Sequence, residues 1–375
     1  MLSDRLQKAA KLIIVALLLY SFLVSISLLG KAFKGFGSGF AEALLNTTAN
    51  PFVGLFIGIL ATSLIQSSST TTSVVVGMVA SGVITTGNAI PIIMGANIGT
   101  TVTNTLVSLG HITRREEFKR AIAGATVHDF FNLICVGVMF PLEMATGFLQ
   151  RSATKLAMVF ENFGGIKFTS PIKTITNPTV VLISDFFTKI LKIEHNLAYV
   201  LILIVSVAIM FSALYFIVKV MKSLVIKRTE LVLNNIIERH GIIGIFAGLI
   251  FTVIVQSSSI TTSLLIPMIG AGILTVELAF PITMGANIGT TATAILASFA
   301  TGNIAAVTIA FVHFLFNFTG VVFIYPIKAV RNIPINLAKS LGNLAYRKRR
   351  YAIIYVVGVF FLVPATLIFI SKLFN

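Results

Sequence analysis

The sequence predicts an all-α integral membrane protein built from two inverted repeats, with two re-entrant helical hairpins and about seven membrane-spanning segments. Three observations lead there. Only 11% of the 375 residues are charged and 56% are hydrophobic, whereas a soluble domain carries about 25% charged residues. Two polar octapeptides, QSSSTTTS from Gln66 and QSSSITTS from Gln256, interrupt apolar segments. The basic stretches fall between apolar runs in a pattern that sets the two copies upside down relative to each other.

Residues 1–50 read as an N-terminal helix and a linker. The start, MLSDRLQKAAK, is basic and its continuation apolar, but no small-residue cleavage site precedes Lys31, so the helix is read as retained. Apolar runs at residues 12–29, 121–142, 197–218, 304–327 and 352–370 approach the roughly 20 residues that a helix needs to cross hydrocarbon. Their length excludes a β-barrel. Residues 51–142 form the first repeat and residues 219–327 the second. The block from Pro51 to Thr105 aligns without a gap on that from Gly241 to Ile295, with nearly half its positions identical. The identities include Gly54 and Gly244, Gly58 and Gly248, Thr62 and Thr252, and both QSSS motifs whole. MGANIGTT follows at Met94 and again at Met284, then VHDFFN at 127–132 against VHFLFN at 312–317. Between the repeats, residues 143–218 read as an outer loop and a linking helix. Residues 328–375 read as a basic, amphipathic cytoplasmic segment and a last helix.

The arms flanking each QSSS are about 15 residues long. They cover about 22 Å of a hydrocarbon core about 30 Å thick. Each pair is therefore read as a hairpin that enters and returns, with QSSS at its tip, although the charge pattern also permits two full spans in its place. A cytoplasmic N-terminus puts residues 114–120 (four basic, two acidic), 219–228 (four basic) and 328–350 (seven basic) all inside. The hairpins then enter from opposite faces. Inverted repeats with broken helices at mid-membrane are the architecture of secondary transporters. The net charge of +16 thus lies in membrane-side loops, where it sets topology and contacts anionic lipid. It does not form a soluble basic face for nucleic acid. The single cysteine, Cys135, excludes a disulfide within the chain and a cysteine metal cluster.

The polar residues define the candidate site. Gln66, Ser67, Ser68 and Ser69, with Gln256, Ser257, Ser258 and Ser259, offer hydroxyls, amides and the free N–H groups of helices that restart there. Such ends attract anions, and two of them suit a small tetrahedral oxyanion. The NIGTT segments offer Asn97, Thr100 and Thr101, then Asn287, Thr290 and Thr291. Their amide, hydroxyl and glycine-freed carbonyl oxygens suit a hard cation such as Na⁺. Asp129 is the one acid deep in a predicted span, so it is expected to face a cavity and a cation; the second repeat has Phe314 there. Asn132 and Asn317 read equally as ligands or as hydrogen bonds between helices, and His128 and His313 more readily as the latter. The G-x-x-x-G pairs read as packing. Neither a G-x-S-x-G elbow nor a P-loop is present, which argues against a serine hydrolase and an ATP-driven pump.

Paired QSSS motifs, each followed by N-I-G-T-T and the first by GATVHDFFN, with HFLFNFTG and IPINLAKSLG beyond, resemble the type II sodium-dependent phosphate cotransporter family from about Asn50 onward. The resemblance implies Na⁺-driven uptake of inorganic phosphate by alternating access, with both QSSS segments around phosphate and sodium. It implies that Asp129 holds an extra Na⁺, so that about three Na⁺ accompany each divalent phosphate and net charge moves. Asn132, Asn317 and the NIGTT residues are carried along as sodium ligands. The residues themselves leave open a Na⁺-coupled carrier of another oxyanion such as sulfate, or a passive anion channel. Vertebrate members have a long disulfide-bonded outer loop that is absent here, and an acid where this chain reads HITR at 111–114, which leaves open whether every sodium site is kept. The compact form resembles bacterial members, implying a multi-pass protein of the cell inner membrane. A homo-oligomer is compatible with the sequence.

Overall fold

The computed structural model describes residues 2–162, 171–236 and 241–373. Among them nearly every residue is helical and none is in a strand. The chain opens with α1 (Leu2–Gly35) and α2 (Gly37–Thr48). The first repeat is α3 (Pro51–Ile65), α4 (Ser68–Ser81), α5 (Thr86–Gly99), α6 (Val102–Ser108) and α7 (Arg115–Thr146). Then come α8 (Phe148–Asn162), α9 (Pro171–Asp185) and α10 (His195–Ile236). The second repeat is α11 (Gly241–Val255), α12 (Ser258–Gly270), α13 (Val276–Thr301) and α14 (Ile304–Ile324). It is followed by α15 (Lys328–Arg347), α16 (Arg350–Val357) and α17 (Val363–Leu373).

Polarity is inverted relative to a soluble protein. Leu12, Ile13, Leu17, Val138, Leu182, Phe246, Phe323 and Phe369 are exposed, while Thr72, Ser73, Asn97, Asn132, Asn287 and Asn317 are buried. A hydrocarbon solvent selects this arrangement, because lipid satisfies no polar group. Among the described residues six stretches are long and apolar enough to cross a membrane: Ala9–Gly35, Thr86–His111, Arg115–Thr146, His195–Met221, Ile304–Ile324 and Arg350–Ser371. The 26-residue α13 makes a seventh by length, about 39 Å. It is the second repeat's copy of the Thr86–His111 span. The four hairpin arms have 15, 14, 15 and 13 residues, as the hairpin reading requires. Helices α2 and α3 bend by 99° at Asn50 and Pro51, where the Asn50 side chain accepts the Phe52 N–H at 3.0 Å.

Within each repeat the first hairpin arm lies flush on the NIGTT helix. A Cβ on Gly58 would stand 2.1 Å from Ile92 O, and one on Gly95 2.0 Å from Leu55 O. The second repeat reproduces both, with Gly248 against Ile282 O at 2.0 Å and Gly285 against Ile245 O at 1.8 Å. These backbones approach so closely that only glycine fits. Between repeats the packing is reciprocal. The second arm α4 lies on α13 and α14, and its counterpart α12 lies on α6 and α7. Two clasps mark the relation. Arg120 Nε donates to Gly270 O at 2.9 Å, and Asn303 Nδ2 donates to Ala80 O at 3.0 Å. Ala80 and Gly270 are equivalent positions of the repeat, each held by a side chain of the other one. Removing the charged donor by Arg120→Ala is expected to cost about 1–2 kcal/mol, read as a lower Tm of the purified protein in detergent. An unchanged Tm would remove the clasp as a stabilising contact.

Three expectations are corrected. Residues 219–228 are not a loop: α10 runs through them, because the apolar–basic alternation there continues a helix already more than six turns long. The outer segment is largely helical, as α8 and α9, with 163–170 outside the described residues. The NIGTT segments are not unwound alike. Thr100 and Thr101 form a break between α5 and α6, while α13 passes through Thr290 and Thr291 unbroken.

Candidate functional site

Both hairpin tips have one geometry. Gln66 and Gln256 adopt left-handed backbone, with φ of 58° and 59°, the Gln66 and Gln256 N–H groups closing onto Thr62 O and Thr252 O at 2.7 Å. Such a conformation is costly for a residue with a side chain, and the helix-ending bond holds it. Next, Ser67 and Ser257 turn extended and cap the returning helices. Ser67 Oγ accepts the Thr70 N–H at 3.2 Å, and Ser257 Oγ accepts the Ile260 N–H at 3.4 Å. Helices α4 and α12 therefore begin inside the protein with first-turn N–H groups that no helical carbonyl can accept. Ser68, Ser69 and Ser258 are buried in those first turns, Ser67, Ser257 and Ser259 are half-buried, and Gln66 is exposed.

The sodium-ligand candidates converge on the junction of the repeats. Asn287 Nδ2 donates to Asn132 Oδ1 at 2.9 Å and to Asn317 Oδ1 at 2.8 Å. Asn132 Nδ2 donates to Asn97 O at 2.7 Å, and His313 Nε2 to Asn97 Oδ1 at 3.3 Å. Every group named is buried. The four asparagines thus serve in this arrangement as bonds between helices, with the Asn132 and Asn317 amide oxygens engaged by Asn287. The Thr100, Thr101, Thr290 and Thr291 hydroxyls donate to carbonyls of their own helices at 2.7–3.1 Å. A donating hydroxyl keeps its lone pairs, so these oxygens remain able to meet a cation.

Asp129 stands apart. It is fully buried on α7 and faces the Thr101 and Tyr355 hydroxyls, yet neither carboxylate oxygen makes a hydrogen bond of ordinary geometry. No arginine or lysine forms an ion pair with it among the described residues. A buried carboxylate without a cationic partner is costly to keep in a membrane-embedded helix.

A family model described as Na+/Pi-cotransporter matches residues 21–170 and 209–337. The chain belongs to that cotransporter family. Sodium-dependent phosphate transport protein 2B of Pongo abelii is 35% identical over 97% of this chain and 66% of its own length, and that of Homo sapiens gives the same figures. Sodium-dependent phosphate transport protein 2A of Ovis aries is 36% identical over 92% of this chain and 65% of its own. The chain thus spans just under two thirds of these relatives. No solved structure matches it. Membership of a cotransporter family agrees with the reading against a serine hydrolase.

The structure adds residues of this cotransporter fold that sequence reading passed over. Asn104 Oδ1 accepts from Thr262 at 2.8 Å and from Ser263 at 3.3 Å, tying α6 to the second hairpin. It lies within the aligned block but opposite Ala294, so the repeat could not signal it. Thr293 donates to Gln256 Oε1 at 2.8 Å. Tyr355 comes from a helix outside both repeats. The HITR stretch is occupied with an acid three residues on: His111 and Arg114 both pair with Glu117, at 3.2 and 2.8 Å. A cavity of about 400 Å³ opens beside the α12–α13 turn, lined among others by Lys119, Arg120 and Lys339.

Proposed function

We propose that this chain carries inorganic phosphate into the cell by symport with Na⁺, moving net positive charge inward. The observation that carries the reading is the pair of serine-capped helix starts, one from each repeat, inside a membrane-sized helical body. Phosphate is bound by Gln66, Ser67, Ser68 and Ser69 together with Gln256, Ser257, Ser258 and Ser259, through the first-turn N–H groups of α4 and α12. Sodium is bound at Asp129 with Thr101, and among Asn97, Thr100, Asn132, Asn287, Thr290, Thr291 and Asn317, where Asn287 turns to release the amide oxygens. About three Na⁺ accompany one divalent phosphate, so one net charge crosses per cycle. Alternating access follows if bound cargo favours closure and the two repeats open in turn to opposite faces. The N-terminus lies in the cytoplasm of an inner-membrane protein, with the basic α15 at the inner lipid surface.

Radiolabelled phosphate uptake into proteoliposomes tests this, with an inward Na⁺ gradient set against K⁺ at clamped voltage. Uptake that needs Na⁺ and accumulates phosphate is expected. Equal uptake in K⁺ would overturn symport in favour of a passive channel. Na⁺-dependent uptake of sulfate that phosphate fails to inhibit would overturn the substrate.

A further inference from the structure

The two repeats carry the same residues at the hairpin tips but do not bond them alike. In the second repeat Thr293 Oγ1 donates to Gln256 Oε1 at 2.8 Å, and Thr252 and Thr261 share a hydrogen bond across the hairpin at 2.6 Å. Their equivalents in the first are Gln66 with Thr103, and Thr62 with Thr71, identical in type. There neither bond exists. The buried hydroxyl oxygens of Thr62 and Thr103 have no hydrogen-bond partner, and the exposed Gln66 side chain bonds no described residue. The helix that carries Thr103 is broken just before it, at Thr100 and Thr101, while the helix that carries Thr293 is continuous. Identical chemistry is thus satisfied on one side and orphaned on the other. A buried hydroxyl without a partner is costly, and its partner of the right type stands at the equivalent place.

The geometry points to a pair of exchanging latches: Gln256–Thr293 closes the second hairpin while Gln66–Thr103 is open, and the opposite-facing state has the first closed and the second open. Thr103 and Thr293 are its positioning residues, acting through the glutamines. Exchange of equivalent bonds between inverted repeats keeps the number of satisfied groups constant, so the two states stay close in free energy, as a two-sided carrier requires. This deepens the carrier reading above and rests on it, but it makes no use of phosphate.

Hydrogen exchange followed by mass spectrometry, on the full chain in lipid nanodiscs without phosphate, tests it. In the wild type, peptides across Gln256 are expected to exchange more slowly than peptides across Gln66. Thr293→Val removes one hydroxyl and is expected to speed exchange at the Gln256 tip and slow it at the Gln66 tip, changing the ratio of the two about fivefold. Thr103→Val shifts the ratio the opposite way, and the double variant returns it toward the wild-type value. Thr293→Ser, which keeps the hydroxyl, restores the wild-type ratio and separates the latch from loss of packing. If Thr293→Val loosens its own tip without tightening the other, or if the two effects add instead of cancelling, the exchange is overturned. A failed uptake assay with this pattern intact would instead reject the proposed cargo.

Discussion

Asp129→Asn is expected to abolish the dependence of phosphate accumulation on membrane voltage. One net charge moving through 100 mV is worth about 2.3 kcal/mol, so the wild type at 100 mV inside negative is expected to hold about 50-fold more phosphate at steady state than at zero voltage. The sign follows from the charge: if the complex enters with one excess positive charge, a negative interior draws it in. Asp129 is placed for this because its buried carboxylate faces the Thr101 and Tyr355 hydroxyls and has no cationic side chain as partner among the described residues. Asparagine keeps the size and one acceptor oxygen but removes the charge, so the variant is expected to hold one cation fewer. The variant is not expected to unfold, since it replaces a buried unpaired charge by a neutral group. Voltage-dependent accumulation that survives Asp129→Asn would place the extra Na⁺ elsewhere.

Gly95→Ala and Gly285→Ala are expected to damage the fold itself, by about 3 kcal/mol each. The added methyl would lie 2.0 Å from Leu55 O and 1.8 Å from Ile245 O respectively, and both neighbours are backbone atoms that cannot rotate away. Separating α3 from α5, or α11 from α13, displaces the hairpin whose tip carries QSSS. Gly39→Ala and Gly137→Ala serve as controls, because a Cβ at either meets nothing within 4 Å. Thermal unfolding in detergent should lower Tm for the first two and leave the controls within about 0.5 kcal/mol of wild type. Equal stability of all four would refute the flush packing of hairpin on helix.

Much of the architecture was legible because duplication is an internal control. One QSSS between apolar arms reads as an accident, but two at a constant spacing cannot. The arms are too short to span, and a break in the membrane is allowed only inside protein, so hairpins followed. Residues 219–228 misled for a related reason. Basic residues mark the cytoplasmic side whether the backbone there is loop or helix, and composition does not separate the two. Asn104 and Tyr355 were invisible because each serves a partner distant in the chain and lacks a copy in the other repeat.

By itself the sequence determined the membrane-protein class, the two repeats, the hairpin tips and the polar residues from which a site can be made. These follow from local quantities: hydropathy, length, and identity between copies. Only the tertiary structure decided which of those residues are engaged with one another. It tied Asn287 to Asn132 and Asn317, left Asp129 without an ion pair among the described residues, and closed Gln256 on Thr293 while Gln66 stayed open. Each of these depends on how helices far apart in the chain cross. In a bilayer that crossing is set by close packing at small residues and by satisfaction of buried polar groups, neither of which a single segment contains.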